Sequence, residues 1–326
     1  MSRAQSINII TLGHCAAILT ITIWGTTFIS TKVLLGYMSP VAILVCRFAL
    51  GFIALLIVRP KRLKRLTIKQ EIMLVSAGVT GVFGYYLLEN VALTYTMASN
   101  VGVIDAAAPF FVALLACVVF KTKHPPVRFF LGFVVAMVGI CLISFNGQAF
   151  SFNPLGDVLA VGAAFVWAVY SLITKQISTW GCDVILTTRR IFFYGLACMV
   201  PCSLFLGFEV DVSLIANPLV VGNMLFLGLG ASALCFVTWN FAVATIGAVK
   251  TSIYIYLVPV ITVITAVIVL AEPITLLASI GVILTLLGLI LSQNLPSRRV
   301  CLPSTTRATT QQIQSSQEQM QQGLSK

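Results

Sequence analysis

The chain has 326 residues, of which 59% are hydrophobic and only 9% are charged, and its mean hydropathy is +1.03. A soluble chain of this length would carry roughly a quarter charged residues, so these few charges cannot cover a particle that dissolves in water. The composition argues against a cytosolic enzyme, a secreted disulfide scaffold, a nucleic-acid-binding domain and a disordered chain. It predicts an all-α polytopic membrane protein.

Ten stretches are long and apolar enough to cross a bilayer, since one crossing takes about 20 mostly apolar residues. In chain order they are roughly 9–31, 40–58, 71–93, 98–120, 128–146, 155–175, 184–207, 218–242, 249–270 and 275–293. The first is far longer than a signal-peptide core and has no obvious cleavage site, so we interpret it as a retained span. The residues from 295 to 326 are polar and rich in glutamine, which predicts a disordered cytoplasmic tail.

Lysine and arginine predict the orientation of these spans. With the N-terminus inside, 16 of the 20 basic residues fall in inner segments and only Lys32 falls in an outer loop, while Arg47, Arg189 and Arg190 lie within spans. Positively charged loops stay on the cytoplasmic side, so both termini are predicted to be cytoplasmic. The net charge of +11 therefore describes the topology and not a nucleic-acid partner. We expect a multi-pass protein of a bacterial inner (plasma) membrane.

The two halves of the chain resemble each other. Trp24, Lys32 and Arg47 recur 143 residues later as Trp167, Lys175 and Arg190. Further pairs recur at offsets of 149 or 150, namely Asn90 with Asn240, Ala92 with Ala242, Pro109 with Pro259, Gly132 with Gly281 and Gly139 with Gly288. The sequence thus predicts two five-helix repeats, at 1–148 and 149–294. Because five is odd, the second repeat must enter the membrane from the opposite side, an arrangement typical of alternating-access transporters with a site between the repeats.

Several motifs occur in a recognisable order. They are WGTTF at 24–28, ALTYTMAS at 92–99, APFFVALLA at 108–116 and VPVITVITAVIVLAEPIT at 258–275. Over about residues 10–293 the sequence resembles the EamA family of the drug/metabolite transporter superfamily. The resemblance implies ten helices in two inverted repeats around a central cavity that passes small metabolites. The family often has a glutamate after the fourth and ninth spans; Glu272 supplies the second, whereas Thr122 stands at the first position.

Ionisable side chains within a bilayer are costly and are candidates for function. Arg47 in the second span and Asp105 in the fourth lie at similar depths from the outer end, which predicts an ion pair with either a structural role or a role in gating or proton coupling. Glu89, beside Tyr85 and Asn90, either reaches interfacial water or is a cavity carboxylate.

The seventh span holds two adjacent arginines. Snorkelling to the headgroups is expected for at least one of them. Arg190, the counterpart of Arg47, is predicted to be the inward-facing member.

Aromatic and kinked positions complete the candidate site. Trp24, Trp167 and Trp239 lie deep within spans, where their rings either line a cavity for a flat solute or pack helices together. Tyr85, Tyr170, Tyr254 and Tyr256 would add hydroxyl groups. The matched prolines either permit bending between access states or form packed kinks. The cavity and gating candidates are Trp24, Arg47, Tyr85, Glu89, Asn90, Asp105, Pro109, Trp167, Tyr170, Arg190, Trp239, Asn240, Tyr254 and Pro259.

The sequence contains no Walker motif, no H-E-x-x-H and no G-x-S-x-G, so it shows no parts for ATP hydrolysis or for a metal or serine hydrolase. It predicts a secondary transporter, and an exporter, of small organic metabolites such as amino acids, with no cofactor and no metal site. The expected partners are a small solute, the bilayer, and H⁺ or Na⁺ as a coupling ion. The two interior arginines favour a solute with a carboxylate. The alternatives are a multidrug or nucleotide-sugar transporter of the same superfamily, or a membrane receptor or scaffold.

Overall fold

The computed structural model describes residues 3–95, 98–121, 125–144, 153–205, 208, 212–270 and 275–293. These residues belong to one compact unit. The predicted tail, the predicted boundary between the repeats at 148–149, Thr122 and Glu272 lie outside the described residues.

The helices follow the apolar runs of the sequence. In the first half they are α1 (Arg3–Leu35), α2 (Pro40–Val58), α3 (Ile68–Ala77), α4 (Tyr85–Tyr95), α5 (Ala98–Asp105), α6 (Ala108–Phe120) and α7 (Val127–Ser144). In the second half they are α8 (Pro154–Ser178), α9 (Val184–Phe205), α10 (Pro218–Leu225), α11 (Cys235–Ile246), α12 (Ala248–Ser252), α13 (Leu257–Leu270) and α14 (Leu276–Gln293). π-Helical turns join α3 to α4 (Gly78–Gly84) and α10 to α11 (Phe226–Leu234), and 3₁₀ turns precede α10 (Val212–Ala216) and join α12 to α13 (Ile253–Tyr256).

These helices make ten spans, which we number 1 to 10 in chain order. Span 3 consists of α3 and α4, span 4 of α5 and α6, span 8 of α10 and α11, and span 9 of α12 and α13, whereas each other span is a single helix. Seven of them are long and apolar enough, by length and composition, to cross a membrane. Spans 5, 9 and 10 have shorter apolar cores, at Val127–Ile143, Ala248–Ile261 and Leu276–Ser292. The chain is therefore an all-α polytopic membrane protein, as the composition predicts.

Spans 5 and 10 pack tightly through four glycines, and their contacts follow the repeat. A β-carbon added to Gly132 would lie 2.7 Å from the carbonyl oxygen of Gly288, and one added to Gly139 would lie 2.6 Å from that of Gly281. In the repeat, Gly132 corresponds to Gly281 and Gly139 corresponds to Gly288. Gly132 therefore contacts the counterpart of Gly139, and Gly139 contacts the counterpart of Gly132. Such reciprocal contacts are the property of a two-fold axis, and they join two antiparallel helices here. The two halves are thus arranged as inverted repeats.

The two π-helical turns obey the same symmetry. Gly78 opens the turn in span 3, and its counterpart Gly228 lies in the turn of span 8. A β-carbon on Gly78 would lie 2.7 Å from the backbone nitrogen of Gly195 in span 7, and one on Gly51 in span 2 would lie 3.1 Å from the carbonyl oxygen of Gly228. The absence of side chains lets each widened turn press against a span of the other repeat. π-Helical turns are rare and often mark functional sites.

Spans 4 and 9 are interrupted at matched positions. Proline cannot donate to the carbonyl of the residue four positions earlier. For Pro109 and Pro259 those residues are Asp105 and Ile255. The helix of span 4 ends at Asp105, and span 9 winds into its 3₁₀ turn over Ile253–Tyr256. The prolines therefore interrupt both spans, as predicted, whereas bending between access states remains a prediction.

Candidate functional site

A cleft lies between the two repeats and contains about 650 Å³ of space free of protein atoms, including its open mouth. Its walls come from spans 1, 3 and 4 of the first repeat and from spans 6 and 9 of the second. The lining residues are Trp24, Thr27, Tyr85, Tyr86, Glu89, Gly102, Asp105, Ala106, Ala108, Ala164, Trp167, Ile255 and Val258. A cleft that is mostly apolar with a few polar groups is typical of a small-molecule site.

Aromatic rings form a continuous wall of the cleft. The rings of Trp24 and Trp167 meet edge to face with centroids 5.3 Å apart, and Tyr85 lies 4.9 Å from Trp167. Trp239 is fully buried behind them, 5.2 Å from Trp24 and 5.6 Å from Trp167. Because each ring is held by its neighbours, the wall presents a fixed apolar surface to a solute.

The matched tryptophans of the two repeats differ in their hydrogen bonding. Trp24 Nε1 donates to the carbonyl oxygen of Ala231, 3.0 Å away, in the π-helical turn of span 8. Trp167 Nε1 is buried and has no hydrogen-bond partner among the described residues. The indole of span 1 is thus anchored to the other repeat, whereas that of span 6 is held by ring packing.

Two carboxyl groups from the first repeat line the cleft. The hydroxyl of Tyr85 donates to Oδ2 of Asp105, 3.2 Å away. Oδ1 of Asp105 is buried and has no hydrogen-bond partner in the described part of the chain. Glu89 is 8% exposed and lines the cleft. Each carboxyl therefore retains capacity to accept a hydrogen bond from a ligand.

The predicted ion pair between Arg47 and Asp105 is wrong. Arg47 is 5% exposed and donates from Nε to Ser232 Oγ of span 8, 3.0 Å away. Its guanidinium carbon lies 4.7 Å from the ring centroid of Tyr86, a cation–π contact. Equal depth in the bilayer fixes the height of two side chains but not the direction in which each points. Arg47 points toward span 8 and is not one of the residues that line the cleft.

Arg190 does not face the interior, so that prediction is also wrong. Its side chain is 44% exposed and forms an ion pair with Glu71 at the start of span 3, with an Nη2–Oε1 distance of 3.1 Å. Tyr194 donates its hydroxyl to the other oxygen of Glu71, 2.6 Å away. The long arginine side chain thus reaches the end of the bundle from a position two turns within span 7. The sequence argument for a solute carboxylate depended on two inward cations and therefore fails.

Three polar candidates lie buried outside the cleft. Tyr170 donates to Asn240 Oδ1, 2.9 Å away, and Asn240 donates to Thr188 Oγ1, 3.0 Å away. The hydroxyl of Tyr254 lies 2.7 Å from Nδ1 of His14. The bonds of Tyr170 and Asn240 join spans 6, 7 and 8 of the second repeat. The contact of Tyr254 with His14 joins span 9 to span 1 of the other repeat. The three side chains therefore hold the bundle together.

The structure also places cleft residues that are absent from the sequence candidates. Thr27, Tyr86 and Ala106 line the cleft beside the predicted residues. Gly102 stands four residues from both Ala98 and Ala106, a spacing of small residues that can allow close helix packing, but nothing lies within 4 Å of a β-carbon added to Gly102. The small residues of span 4 therefore make room for the cleft. Asn90, Pro109 and Pro259 are not among the lining residues.

A second cavity lies at the opposite end of the bundle, between spans 6, 7 and 8. It contains about 720 Å³ of free space, including its mouth. Its polar lining includes Thr174, Ser178, Thr187, Asn240 and Thr245. The described lining has hydroxyls and an amide in place of the carboxyl groups of the first cleft.

The model of the EamA-like transporter family matches the chain twice, at residues 11–145 and 154–293. An uncharacterized transporter of Archaeoglobus fulgidus is 29% identical over 86% of this chain and 96% of its own length. The uncharacterized transporter YyaM of Bacillus subtilis is 30% identical over 82% of this chain and 88% of its own. A protein of Streptantibioticus cattleyicolor named "Probable terminal-alkyne amino-acid exporter" is 27% identical over 85% of this chain and 91% of its own.

The fold also has a counterpart among solved structures. A crystal structure with 18% sequence identity superposes with a TM-score of 0.68, covering 89% of this chain and 97% of the other. The two family matches fall on the two inverted halves that the glycine contacts define. The family is one of transporters, which decides against the enzyme and receptor alternatives. The chain is a membrane transporter of the EamA-like transporter family, in the drug/metabolite transporter superfamily.

Proposed function

We propose that the chain is a secondary transporter, working as an exporter, of small organic solutes that carry a protonated amine beside an apolar or aromatic group, with amino acids as the leading class. The observation that carries the proposal is the pair of carboxyl groups, Glu89 and Asp105, in a cleft whose described lining residues include no lysine or arginine.

The chemistry of the cleft favours an ammonium group. An isolated carboxylate in an apolar environment is costly, and a cation that enters the cleft offsets this cost. Asp105 Oδ1 has no other partner in the described residues, and Glu89 lies on the same wall. The rings of Trp24 and Trp167 offer apolar contact and a face that attracts cations. A solute with an ammonium and a hydrophobic side chain matches both features.

We propose H⁺ as the coupling ion, with Na⁺ as the alternative. A carboxyl group of the empty cleft can be neutralised by a proton, and a cationic solute can replace that proton. The titratable groups that line the cleft beside these carboxyls are Tyr85, which donates to Asp105, and Tyr86. Arg47 lies outside the lining, over the ring of Tyr86, and its charge acts on Glu89. Exchange of a proton for a cationic solute would keep the charge of the cleft unchanged, whether the solute moves outward or inward.

We propose that both termini are cytoplasmic, in a bacterial inner membrane, from the distribution of basic residues. With this orientation the cleft occupies the outer half of the bundle and the second cavity occupies the inner half. Two cavities at opposite ends, separated by Trp239, Tyr170 and Phe236, suit alternating access between inverted repeats. The printed name of the Streptantibioticus relative, an amino-acid exporter, agrees with this class.

The two alternative substrates within the superfamily, a cationic drug and a nucleotide sugar, differ in their charge. A cationic drug would satisfy the same two carboxyls, so a multidrug transporter is the second candidate. A nucleotide sugar carries phosphates, and a site for it would need basic groups that are absent from the part of the lining that the structure describes.

Counterflow in proteoliposomes tests the proposal. Purified protein is loaded with one unlabelled solute and assayed for uptake of a labelled one across a panel of amino acids, their decarboxylated amines, cationic dyes and a nucleotide sugar. We expect saturable exchange of amine-bearing solutes that weakens as the pH falls, because protons then compete for the carboxyls. Exchange confined to solutes without an amine would overturn the proposal.

A further inference from the structure

The segment between spans 2 and 3 is a second concentrated charge feature, distinct from the cleft. Residues 59–69, which we call the basic strap, hold six of the 20 basic residues and follow a non-helical path from Arg59 to Leu66. Lys61, Arg62, Lys64 and Arg65 are all exposed. Four exposed cations within five residues repel one another and favour a polyanionic partner.

The strap is fastened to the bundle by specific contacts. Arg189 of span 7 donates from Nη2 to the carbonyl oxygen of Lys61, 2.6 Å away, and from Nη1 to that of Arg59. Arg59 forms an ion pair with Asp183, with Nη2 and Oδ2 3.0 Å apart. These contacts hold the backbone of the strap against the start of span 7.

The apolar residues of the strap point the other way from its cations. Leu63 and Leu66 pack against the main hydrophobic core of the bundle. They alternate with Arg62, Lys64 and Arg65, so the strap has one face on the protein and one charged face outward. Of the strap cations, Arg59 is the one with a carboxylate within ion-pair distance among the described residues.

We propose that the basic strap binds the headgroups of anionic phospholipids. The strap directly follows the end of span 2 and precedes span 3, so it lies at the bilayer surface, where such headgroups are concentrated. Clusters of four to eight Lys and Arg next to a span are suited to anionic lipid, and each cation near the surface contributes about a fivefold gain in binding. The inference is independent of the solute and of the carboxyls in the cleft.

Lipid on the strap would also act on the spans to which the strap is joined. Arg189 and Asp183 join the strap to span 7, and Arg190 joins span 7 to Glu71 of span 3. A headgroup that holds the strap therefore stabilises the junction of spans 2, 3 and 7 at this end. We expect anionic lipid to raise the thermal stability of the full-length protein.

The experiment compares the full-length protein in phosphatidylcholine vesicles with and without phosphatidylglycerol. The strap variant K61Q/R62Q/K64Q/R65Q removes four exposed cations, and the matched control R298Q/R299Q/R307Q/K326Q removes four from the C-terminal tail. We expect phosphatidylglycerol to raise the unfolding temperature of the wild type and of the tail variant but not of the strap variant. Retention of phosphatidylglycerol after detergent extraction, measured by native mass spectrometry, should fall at least about a hundredfold in the strap variant.

Three controls distinguish binding of lipid headgroups from binding of a free anion and from a general effect of lost charge. The charge-conserving variant K61R/R62K/K64R/R65K should behave as the wild type, since the contact is one of charge. Inorganic phosphate added to the phosphatidylcholine sample should have no effect; an equal stabilisation by phosphate would show a free-anion site and overturn the lipid proposal. Equal losses in the strap and tail variants, or a strap variant that keeps the phosphatidylglycerol shift, would also overturn it. Unchanged unfolding temperatures of both variants in phosphatidylcholine establish that they fold.

Discussion

The two repeats share a backbone plan but not a charge pattern. Glu89 of the first repeat corresponds to Trp239 of the second, and Asp105 corresponds to Ile255. Both carboxyls of the cleft therefore come from the first repeat, while the second contributes Trp167 and the apolar side chain of Ile255. Two inverted repeats can thus supply acid from one side only while both contribute rings to the aromatic wall, so that a single site recognises a solute with two kinds of group.

The matched arginines also differ between the repeats. Arg47 is buried against Ser232 and Tyr86, whereas Arg190 is half exposed and bound to Glu71. Their partners differ because Glu71 has no acidic counterpart in span 8, where position 221 is a valine. Equivalent positions in the repeats have therefore taken different environments, and function cannot be transferred from one half to the other by symmetry alone.

The largest expected effect comes from removing the acidic half of the cleft. We predict that Asp105→Asn and Glu89→Gln each reduce exchange of an amine-bearing solute by about ten- to a hundredfold, because a hydrogen bond to a charged group contributes about 1.5–3 kcal/mol. Proteoliposome counterflow measures the loss. The control is Ile255→Asn, which places the same amide at the mirror position and should keep most of the activity. Equal losses in Asp105→Asn and Ile255→Asn would show that the cleft tolerates no polar change and that the carboxyl has no special role.

The next effect concerns the symmetric glycine contact. We predict that Gly139→Ala lowers the free energy of unfolding by about 1–3 kcal/mol, since the added methyl group would overlap the backbone of Gly281. Gly281→Ala should cost a similar amount because the contact is reciprocal. Thermal unfolding in detergent measures both. Gly102→Ala, whose new methyl meets nothing within 4 Å, is the control and should leave the stability unchanged.

Part of this architecture could be predicted from the sequence. The ten spans follow from long apolar runs, and the breaks in spans 4 and 9 follow from Pro109 and Pro259, since a proline has a local effect wherever it stands. The recurrence of the glycine pair of span 5 in span 10 is visible in the sequence. The structure shows that these four glycines let spans 5 and 10 pack closely together. Nothing in the local sequence marked the π-helical turn of Gly78–Gly84, because it depends on the spans packed around it.

The candidate site was predicted less well than the fold. Five of the lining residues, Trp24, Tyr85, Glu89, Asp105 and Trp167, were identified from depth and residue type. Depth does not give the direction of a side chain around its helix, so the pairing of Arg47 failed. The length of an arginine side chain made depth misleading for Arg190 as well.

An effect of similar size at Arg47, and a smaller one at Arg190, is expected at the matched arginines. We predict that Arg47→Gln lowers the free energy of unfolding by about 1–3 kcal/mol, because it removes a buried hydrogen bond to Ser232 and a cation–π contact. Arg190→Gln should cost at most about 1 kcal/mol, since an exposed ion pair contributes little. Chemical denaturation of the two variants provides the comparison. An equal or larger loss at Arg190 would contradict the assignment of Arg47 as the buried member of the pair.

The smallest effect separates the two cleft tryptophans. Trp24→Phe keeps an aromatic ring but removes the hydrogen bond to Ala231, so we predict a loss of about 1 kcal/mol in stability. Trp167→Phe loses similar ring packing but also removes a buried N–H that has no partner among the described residues, so it should cost less stability than Trp24→Phe. Unfolding midpoints of the two variants, measured in the same detergent, test this ordering. A larger loss in Trp167→Phe than in Trp24→Phe would contradict this ordering. It would indicate that the indole N–H of Trp167 forms a hydrogen bond in another conformation of the transporter. The difference in hydrogen bonding between Trp24 and Trp167 would then hold in one access state only.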